Sequence, residues 1–264
     1  MIKLVATDID GTFTRSDNTF DTARFEKILA RMKEIDCHFV VASGNYYYKL
    51  KNMFKAYGDE ISFISDNGAY VEDRGELIFS ANIPKETVAY VAEVCKDFPD
   101  ISVFLCGVKS AYAQRDIVKQ KDLDFMTEHL PRLKVVEKFA DVDDQFLKFC
   151  VIVSNEKISS CYKFLREKLN DKLTVTTSGF NVIDLILPGC HKASGIKRLA
   201  QRLKISPADC AAFGDSENDI EMLKYCGQSY AMQNAAESVK AVAKNICPSN
   251  NEDGVLVTLE KILW

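Results

Sequence analysis

The sequence lacks the features that mark membrane proteins, disordered chains and nucleic-acid-binding proteins. None of its apolar runs approaches the ~20 residues that a transmembrane helix needs. Proline occurs only 6 times in 264 residues, and the chain contains no low-complexity tract and no internal repeat. No block of like charge is present, and 34 basic residues against 38 acidic ones give a formal net charge of −4. We therefore expect a globular protein that binds neither nucleic acid nor a membrane.

Cysteine and histidine are present without the spacing that a structural metal site requires. The nine cysteines form no CxxC pair, and most of them lie in apolar runs. The three histidines, His38, His129 and His191, share no ligand spacing, and we expect His191 to be structural. A signal peptide begins with a basic segment that is followed by an apolar one. This sequence begins with a strand-like run instead. These observations predict reduced core thiols and a cytoplasmic protein.

Strand-like and helical segments alternate at both ends of the chain. The runs 2–7, 38–42 and 61–64 read as short buried strands, and residues 21–35 carry a helical apolar period with Asp21 as N-cap. A second helix is predicted over about residues 46–57. This βαβ alternation favours a parallel sheet, and it resumes after Pro188-Gly189 with helices over 192–203 and 218–226.

The middle of the chain follows a different pattern. Strand-like runs come there in neighbouring pairs that suit antiparallel pairing, and Ser110-Ala111-Tyr112 reads as a turn. We predict an α/β protein whose parallel-sheet core, residues 1–81 and 188–264, is interrupted by an α+β domain, residues 82–187.

Acidic turns follow two of the predicted core strands. Asp8 and Asp10 come directly after the first strand, and Gly11 and Thr12 are suited to a sharp, hydrogen-bonded turn. Gly214-Asp215-Ser216-Glu217-Asn218-Asp219 follows a later strand in the same way. Ligands bind at the carboxyl ends of strands in open α/β sheets. Converging carboxylates at that edge favour a hard cation, and Mg²⁺ is the usual choice where phosphate is also bound.

Two further segments are suited to binding an anion. Ser43-Gly44 ends the second predicted strand with a hydroxyl group and a backbone amide. Lys192 begins a helix, where its ammonium group and the helix N-terminus both favour negative charge.

These residues together resemble the haloacid dehalogenase superfamily of phosphohydrolases. Its four motifs occur in order as Asp8-Ile9-Asp10-Gly11-Thr12, Ser43, Lys192 and Gly214–Asp219. The long insertion and the segments 41–45, 177–180 and 183–192 are similar to the Cof-type sugar phosphatases with a class IIB cap. The resemblance covers essentially the whole chain and implies a Rossmann-like parallel-sheet core with an inserted α+β cap domain.

The resemblance also implies catalytic and metal-binding roles. Asp8 would be the nucleophile that forms an aspartyl-phosphate, and Asp10 would protonate the leaving group and then deprotonate water. Mg²⁺ would be held by Asp8, Asp215 and the backbone carbonyl of Asp10, with Asp219 orienting the metal shell or Lys192.

Substrate-binding roles follow from the same resemblance. Ser43, the Gly44 amide and Lys192 would bind phosphoryl oxygens, and Asn218 could contact them too. Asn45 stands where much of the class IIB group has arginine, so a fixed charge at that position is missing. Tyr46, Ser178 and Gly179 are further candidates for substrate contact, with packing and plain turn formation as the alternatives.

The sequence thus predicts a magnesium-dependent phosphomonoesterase that acts on small phosphate esters, most simply sugar phosphates. A sugar phosphomutase and a non-catalytic metabolite-binding protein on the same scaffold stay open as alternatives. We expect a monomer or a weak homodimer.

Overall fold

The structure, a computed structural model, describes residues 1–177 and 181–264. It contains two compact units. The first consists of Met1–Ser43, Lys55–Ile78 and His191–Trp264, and the second consists of Gly44–Phe54 and Phe79–Cys190. The division predicted from the sequence, 1–81 with 188–264 and 82–187, stays a prediction.

The helices and strands are numbered in chain order. The strands are β1 Leu4–Thr7, β2 His38–Ala42, β3 Ser62–Ser65, β4 Tyr70–Asp73, β5 Glu76–Ser80, β6 Ser102–Gly107, β7 Ala111–Gln114, β8 Leu133–Val136, β9 Phe146–Ile152, β10 Thr174–Thr177, β11 Val182–Ile186, β12 Cys210–Gly214, β13 Gln228–Met232 and β14 Asn245–Cys247. The helices are α1 Thr22–Glu34, α2 Tyr47–Met53, α3 Lys85–Lys96, α4 Gln120–His129, α5 Ile158–Leu169, α6 Lys192–Leu203, α7 Ile220–Tyr225, α8 Glu237–Lys240 and α9 Gly254–Leu263.

The sheet of the first unit has the order β14-β13-β12-β1-β2-β3-β4-β5. Its strands from β14 to β3 are parallel, and β4 pairs antiparallel with β3. In the register, Leu4 of β1 faces His38 on one side and Cys210 on the other. Because parallel strands end at the same edge of a sheet, the residues that follow β1, β2, β3 and β12 lie along one edge.

Helix α1 shows how the apolar period of the sequence forms the core of this unit. The Asp21 side chain accepts a hydrogen bond from the Arg24 amide at 3.0 Å, which confirms the predicted N-cap. Phe25, Ile28 and Met32 are buried on one face of the helix. The Phe25 ring packs against Phe13 and Phe39 with centroid distances of 5.1 and 4.9 Å. Such edge-to-face contacts fix the helix against the sheet.

The sheet of the second unit has the order β10-β11-β9-β6-β7-β8. Most of its pairs are antiparallel, as expected, but β7 and β8 are parallel. A parallel pair needs a long crossover, and the segment between them contains α4.

The predicted turn at Ser110-Ala111-Tyr112 was wrong, because Ala111 begins β7 and pairs with Cys106. Alanine and glutamine in this short strand do not give a recognisable β-branched run.

Two predicted helices are shorter than expected. Helix α2 covers Tyr47–Met53 and is followed by a separate 3₁₀ turn, Lys55–Tyr57. Asn218 lies in the 3₁₀ turn Glu217–Asp219, which precedes α7. There the Asp219 carboxylate accepts a hydrogen bond from the Ser216 amide at 3.0 Å. A side chain that bonds to nearby backbone amides competes with regular helical hydrogen bonds.

The cysteines are buried thiols, as the sequence predicts, and no disulfide occurs among the described residues. Burial raises the pKa of Cys37 and of Cys95 to about 12, so both stay protonated near neutral pH. Within residues 1–177 and 181–264, every helix is too short or too polar to cross a bilayer.

Candidate active site

Asp8 begins the first acidic turn of the first unit. Its backbone amide donates to the Phe213 carbonyl at 3.0 Å, so the β1–β12 pairing extends to the first carboxylate. Asp8 is buried, whereas Asp10 is only half-buried. Gly11 has a φ of +77°, and a Cβ atom there would come within 2.6 Å of Asp215 Oδ2. Glycine therefore lets the two acidic turns approach each other.

Lys192 connects carboxylates from both turns. The residue is the first of α6, and its predecessor His191 caps the helix by accepting a hydrogen bond from the Ser194 amide at Nδ1. The Lys192 Nζ atom lies 2.6 Å from Asp8 Oδ1 and 2.6 Å from Asp219 Oδ1. Because Lys192 is only 1% exposed, these charge-assisted bonds form away from bulk water.

The second acidic turn is held together by its own backbone. Asp219 Oδ2 accepts hydrogen bonds from the Asp215 and Ser216 amides at 2.9 and 3.0 Å. Asp215 Oδ1 accepts from the Thr12 hydroxyl at 2.7 Å. Thr12 therefore joins the two turns, whereas the sequence suggested only a bond within its own turn.

Burial and mutual repulsion perturb the site's titration. Burial is the main reason that the pKa of Asp8 is raised well above its usual range. The Lys192 ammonium opposes this shift, and the charges of Asp219 and Asp215 add to it. Burial also raises the pKa of Asp215. Burial opposes the charge on Lys192, but Asp219 and Asp8 outweigh it and raise the pKa of the ammonium group. Lys192 therefore stays protonated at neutral pH, whereas two of the carboxylates resist ionisation.

The cluster fits a hard divalent cation. Oxygens of Asp8, Asp215 and Asp219 lie within 4.8 Å of one another. Two of these carboxylates bond to the Lys192 ammonium and Asp215 lies beside them, so a further positive charge would relieve their repulsion. Oxygen ligands of this kind are those that Mg²⁺ prefers. Asp219 is held by the Lys192 ammonium at Oδ1 and by two backbone amides at Oδ2. Asp215 accepts from the side-chain hydroxyls of Thr12 and Ser216, and Asp8 accepts from Lys192 at Oδ1, so Asp8 and Asp215 are better placed to bind the ion.

Ser43 and Asn218 lie in the same unit as the acidic turns. Ser43 is buried directly after β2, and its amide donates to the Ile64 carbonyl at 2.8 Å. Asn218 is half-buried, and its Nδ2 atom lies 3.3 Å from Asn67 Oδ1. Asn67 was not among the predicted site residues. The only sequence signal for it was the polar run Ser65-Asp66-Asn67-Gly68 at the end of a strand.

The other predicted substrate contacts are distributed differently. Gly44, Asn45 and Tyr46 belong to the second unit. There the Asn45 Oδ1 atom accepts a hydrogen bond from the Lys49 ammonium at 2.9 Å, so a positive charge lies beside Asn45. The Tyr46 hydroxyl donates to the Gly107 carbonyl at 2.9 Å. Ser178 and Gly179 lie outside the described residues.

A parallel α/β unit that gathers carboxylates and a buried lysine at its strand ends is typical of phosphate-ester hydrolases. The model of one such family, the haloacid dehalogenase-like hydrolases, matches residues 5–259. The chain belongs to this family, as a Cof-type phosphatase with a class IIB cap. The predicted fold class, a Rossmann-like core with an inserted α+β cap domain, is confirmed.

Curated relatives and solved structures agree with this assignment. The 5-amino-6-(5-phospho-D-ribitylamino)uracil phosphatase YbjI of Escherichia coli is 38% identical over 99% of this chain and 96% of its own length. The HMP-PP phosphatase of Cronobacter sakazakii is 26% identical over 91% of this chain and 88% of its own. The crystal structure of SMU.1108c from Streptococcus mutans superposes with a TM-score of 0.93 at 33% identity, covering 100% of this chain and 99% of that one.

Proposed function

We propose that this protein is a magnesium-dependent phosphomonoesterase that works through an aspartyl-phosphate on Asp8. The observation that carries the proposal is the Lys192 ammonium, which lies 2.6 Å from both Asp8 and Asp219 within a cluster of three carboxylates. A nucleophilic carboxylate must be held ionised and must be shielded from the negative phosphate that it attacks. The Lys192 charge favours the ionised form of Asp8 against the effect of burial, and it offsets the negative charge of the phosphate.

Hydrolysis would take place in two displacements. A carboxylate oxygen of Asp8 forms a bond to phosphorus while the bond from phosphorus to the substrate oxygen breaks. Asp10 gives its proton to the leaving oxygen, so the product departs as a neutral alcohol. Asp10 then takes a proton from a water molecule, whose oxygen attacks phosphorus and releases phosphate from Asp8. The enzyme returns to its starting state with water as the only co-substrate.

The transferring phosphoryl group needs donors for its negatively charged oxygens. Ser43, the Gly44 amide, Asn218 and Lys192 are the donors that we assign to this task. Asp219 positions Lys192, because its Oδ1 atom accepts from the ammonium while its Oδ2 atom is fixed by two backbone amides. Such fixed donors need no reorganisation when charge develops.

Asp8, Asp215 and the backbone carbonyl of Asp10 would hold Mg²⁺. When bound, the ion supplies charge that offsets the repulsion between Asp8 and a phosphate dianion. Thr12 orients Asp215 for this role through its 2.7 Å hydrogen bond to Oδ1.

The substrate that we propose is a phosphomonoester on a short polyhydroxylated carbon chain. Sugar phosphates belong to this class, and so does the phospho-D-ribityl compound named for the E. coli relative. The 38% identity over nearly the whole chain supports testing that compound first. Asn45, Tyr46, Ser178 and Gly179 are the candidates for contact with the leaving group.

The test is release of inorganic phosphate from a panel of sugar phosphates and the phosphoribitylaminouracil in the presence of Mg²⁺. We expect turnover by the wild type and none by Asp8→Asn, because the amide cannot act as the nucleophile. Substantial turnover by Asp8→Asn at an unchanged thermal midpoint would contradict the covalent mechanism. Conversion of one sugar phosphate into an isomer without release of phosphate would identify a phosphomutase instead.

A further inference from the structure

The turn that follows β3 has an unusual backbone. Asp66, Asn67 and Gly68 are consecutive and all have left-handed φ values, of 52°, 55° and 84°. L-residues rarely adopt this conformation, and asparagine and aspartate tolerate it better than most. Asp66 is fully buried and Asn67 is 2% exposed. Strained, buried polar turns persist where the surroundings hold them and are concentrated at functional sites.

Asn67 contacts two residues to which the proposed function assigns phosphoryl binding. Its backbone amide donates to the Ser43 carbonyl at 3.2 Å. Its side-chain Oδ1 accepts from Asn218 Nδ2 at 3.3 Å. One buried residue thus joins the strand end after β2 to the second acidic turn, which are far apart in sequence.

Gly68 fixes this turn against the segment that carries Lys192. A Cβ atom at Gly68 would lie 2.3 Å from the His191 carbonyl oxygen, so the two backbones are in direct contact. His191 is the residue that caps α6 and precedes Lys192. This left-handed turn therefore contacts the three segments that carry Ser43, Asn218 and Lys192.

We propose that Asn67 is a positioning residue that orients Ser43 and Asn218 toward the phosphoryl group. The inference rests on the proposed function of these two residues. The Asn218 amide carries two N–H donors, and the bond to Asn67 fixes the plane in which the second one lies. A fixed donor is worth more in a transition state than one that must first be ordered.

The decisive variant is Asn67→Gly. Glycine accepts a φ of 55° without strain and keeps the amide that bonds to Ser43, so only the side-chain amide is lost. We expect kcat/KM for the best phosphate ester to fall about 10- to 100-fold, because Asn218 is no longer held in place. The thermal midpoint and the affinity for Mg²⁺ should change little.

Asn18→Gly is the matched control. Asn18 has a φ of 62° and belongs to the same unit, but it is exposed and makes no contact with the proposed donors in the part of the chain that the structure describes. We expect wild-type kinetics from this variant. It separates the effect of an asparagine-to-glycine change in a left-handed turn from the effect of losing the contact with Asn218.

A double-mutant cycle with Asn218→Ala distinguishes positioning from a structural role. If Asn67 acts through Asn218, the double variant should be no slower than Asn218→Ala alone. Multiplied losses, or a loss explained by a lower thermal midpoint, would overturn the role of Asn67 while leaving the phosphatase assignment intact. If the wild type releases no phosphate from any ester, the proposed function fails and the role of Asn67 fails with it.

Discussion

Each of the two units contains a buried lysine that bonds to carboxylate, and the two surroundings differ. In the first unit, the Lys192 ammonium meets Asp8 and Asp219 at 2.6 Å each, and Asp215 lies in the same cluster. In the second unit, the Lys148 ammonium meets both oxygens of Asp184 at 3.1 Å and the Gly44 carbonyl at 2.7 Å. Lys148 and Asp184 lie on the paired strands β9 and β11.

The difference lies in the ratio of negative to positive charge. Lys192 bonds to two of three clustered carboxylates, and burial raises the pKa of both Asp8 and Asp215. A further cation would therefore stabilise this cluster. At Lys148, both oxygens of Asp184 accept from the ammonium, and the bonds join neighbouring strands and the segment that begins at Gly44. A buried lysine therefore indicates a functional site when more than one carboxylate lies around it.

Replacing Lys192 should have the largest effect and would show whether this contrast is functional. In Lys192→Met, Asp8 loses its counter-charge, and we expect turnover to fall by about 10²–10³-fold or more. The remaining buried carboxylates should also cost about 3–5 kcal/mol of the free energy of unfolding at neutral pH. Phosphate release and urea unfolding measure both. Wild-type turnover in this variant would show that catalysis does not require the bond between Lys192 and Asp8.

Replacing Lys148 should affect stability more than chemistry. Lys148→Met leaves the Asp184 carboxylate buried without its ammonium partner, which should cost about 3–5 kcal/mol of unfolding free energy. The double variant Lys148→Met/Asp184→Leu should recover much of that loss, because neither charge is then buried. Urea unfolding of the two variants gives the comparison. Equal destabilisation of both variants would show that the Gly44 contact, and not the charge pair, dominates.

The sequence allowed much of the Lys192 site to be predicted and little of the Lys148 pair. Asp8, Ser43 and Asp215 each follow a strand of a parallel sheet, so the topology brings them to one edge without knowledge of any side-chain contact. Lys148 and Asp184 stand within the apolar strands Phe146–Ile152 and Val182–Ile186. A charged residue in a buried strand implies a partner, but its identity depends on the strand order.

Other features depended on contacts between distant segments. Thr12 and Asp215 are 203 residues apart in sequence, and the bond between them exists only because β1 and β12 pair. The short strand Ala111–Gln114 was missed because its position comes from its neighbour β6 and not from its own propensity. The left-handed conformation of Asn67 likewise reflects the packing around it.

Mg²⁺ should also distinguish the Lys192 site from the Lys148 site, with a smaller effect on stability than the lysine substitutions have. Mg²⁺ at about one hundred times its dissociation constant should stabilise the wild type by about 2.7 kcal/mol, if it binds only the folded protein. Asp215→Asn should lose this stabilisation, because one ligand is gone. Lys148→Met should keep it. Thermal unfolding with and without Mg²⁺ measures the effect, and an undiminished Mg²⁺ response in Asp215→Asn would contradict the assigned ligand.

The stability of Asp215→Asn should also depend on pH, and the direction follows from the raised pKa values of Asp8 and Asp215. A carboxyl whose pKa is higher in the folded protein than in the unfolded chain costs stability once it ionises. In the metal-free wild type, this cost is present at neutral pH and is relieved as pH falls through the raised pKa values of Asp8 and Asp215. Asp215→Asn should therefore be more stable than the wild type at pH 7, and the difference should shrink as the pH is lowered toward 4.

The smallest effect that we expect concerns how helix α6 presents Lys192. His191→Ala removes the side chain that accepts from the Ser194 amide at 3.3 Å, and loss of an N-cap typically costs about 0.5–2 kcal/mol. Asp21→Ala removes the cap of α1, which carries none of the proposed catalytic residues, and serves as the matched control. If the cap also positions Lys192, turnover should fall modestly in His191→Ala and stay unchanged in Asp21→Ala. Equal turnover in both variants at similar loss of stability would mean that Asp8 and Asp219 alone hold the ammonium in place.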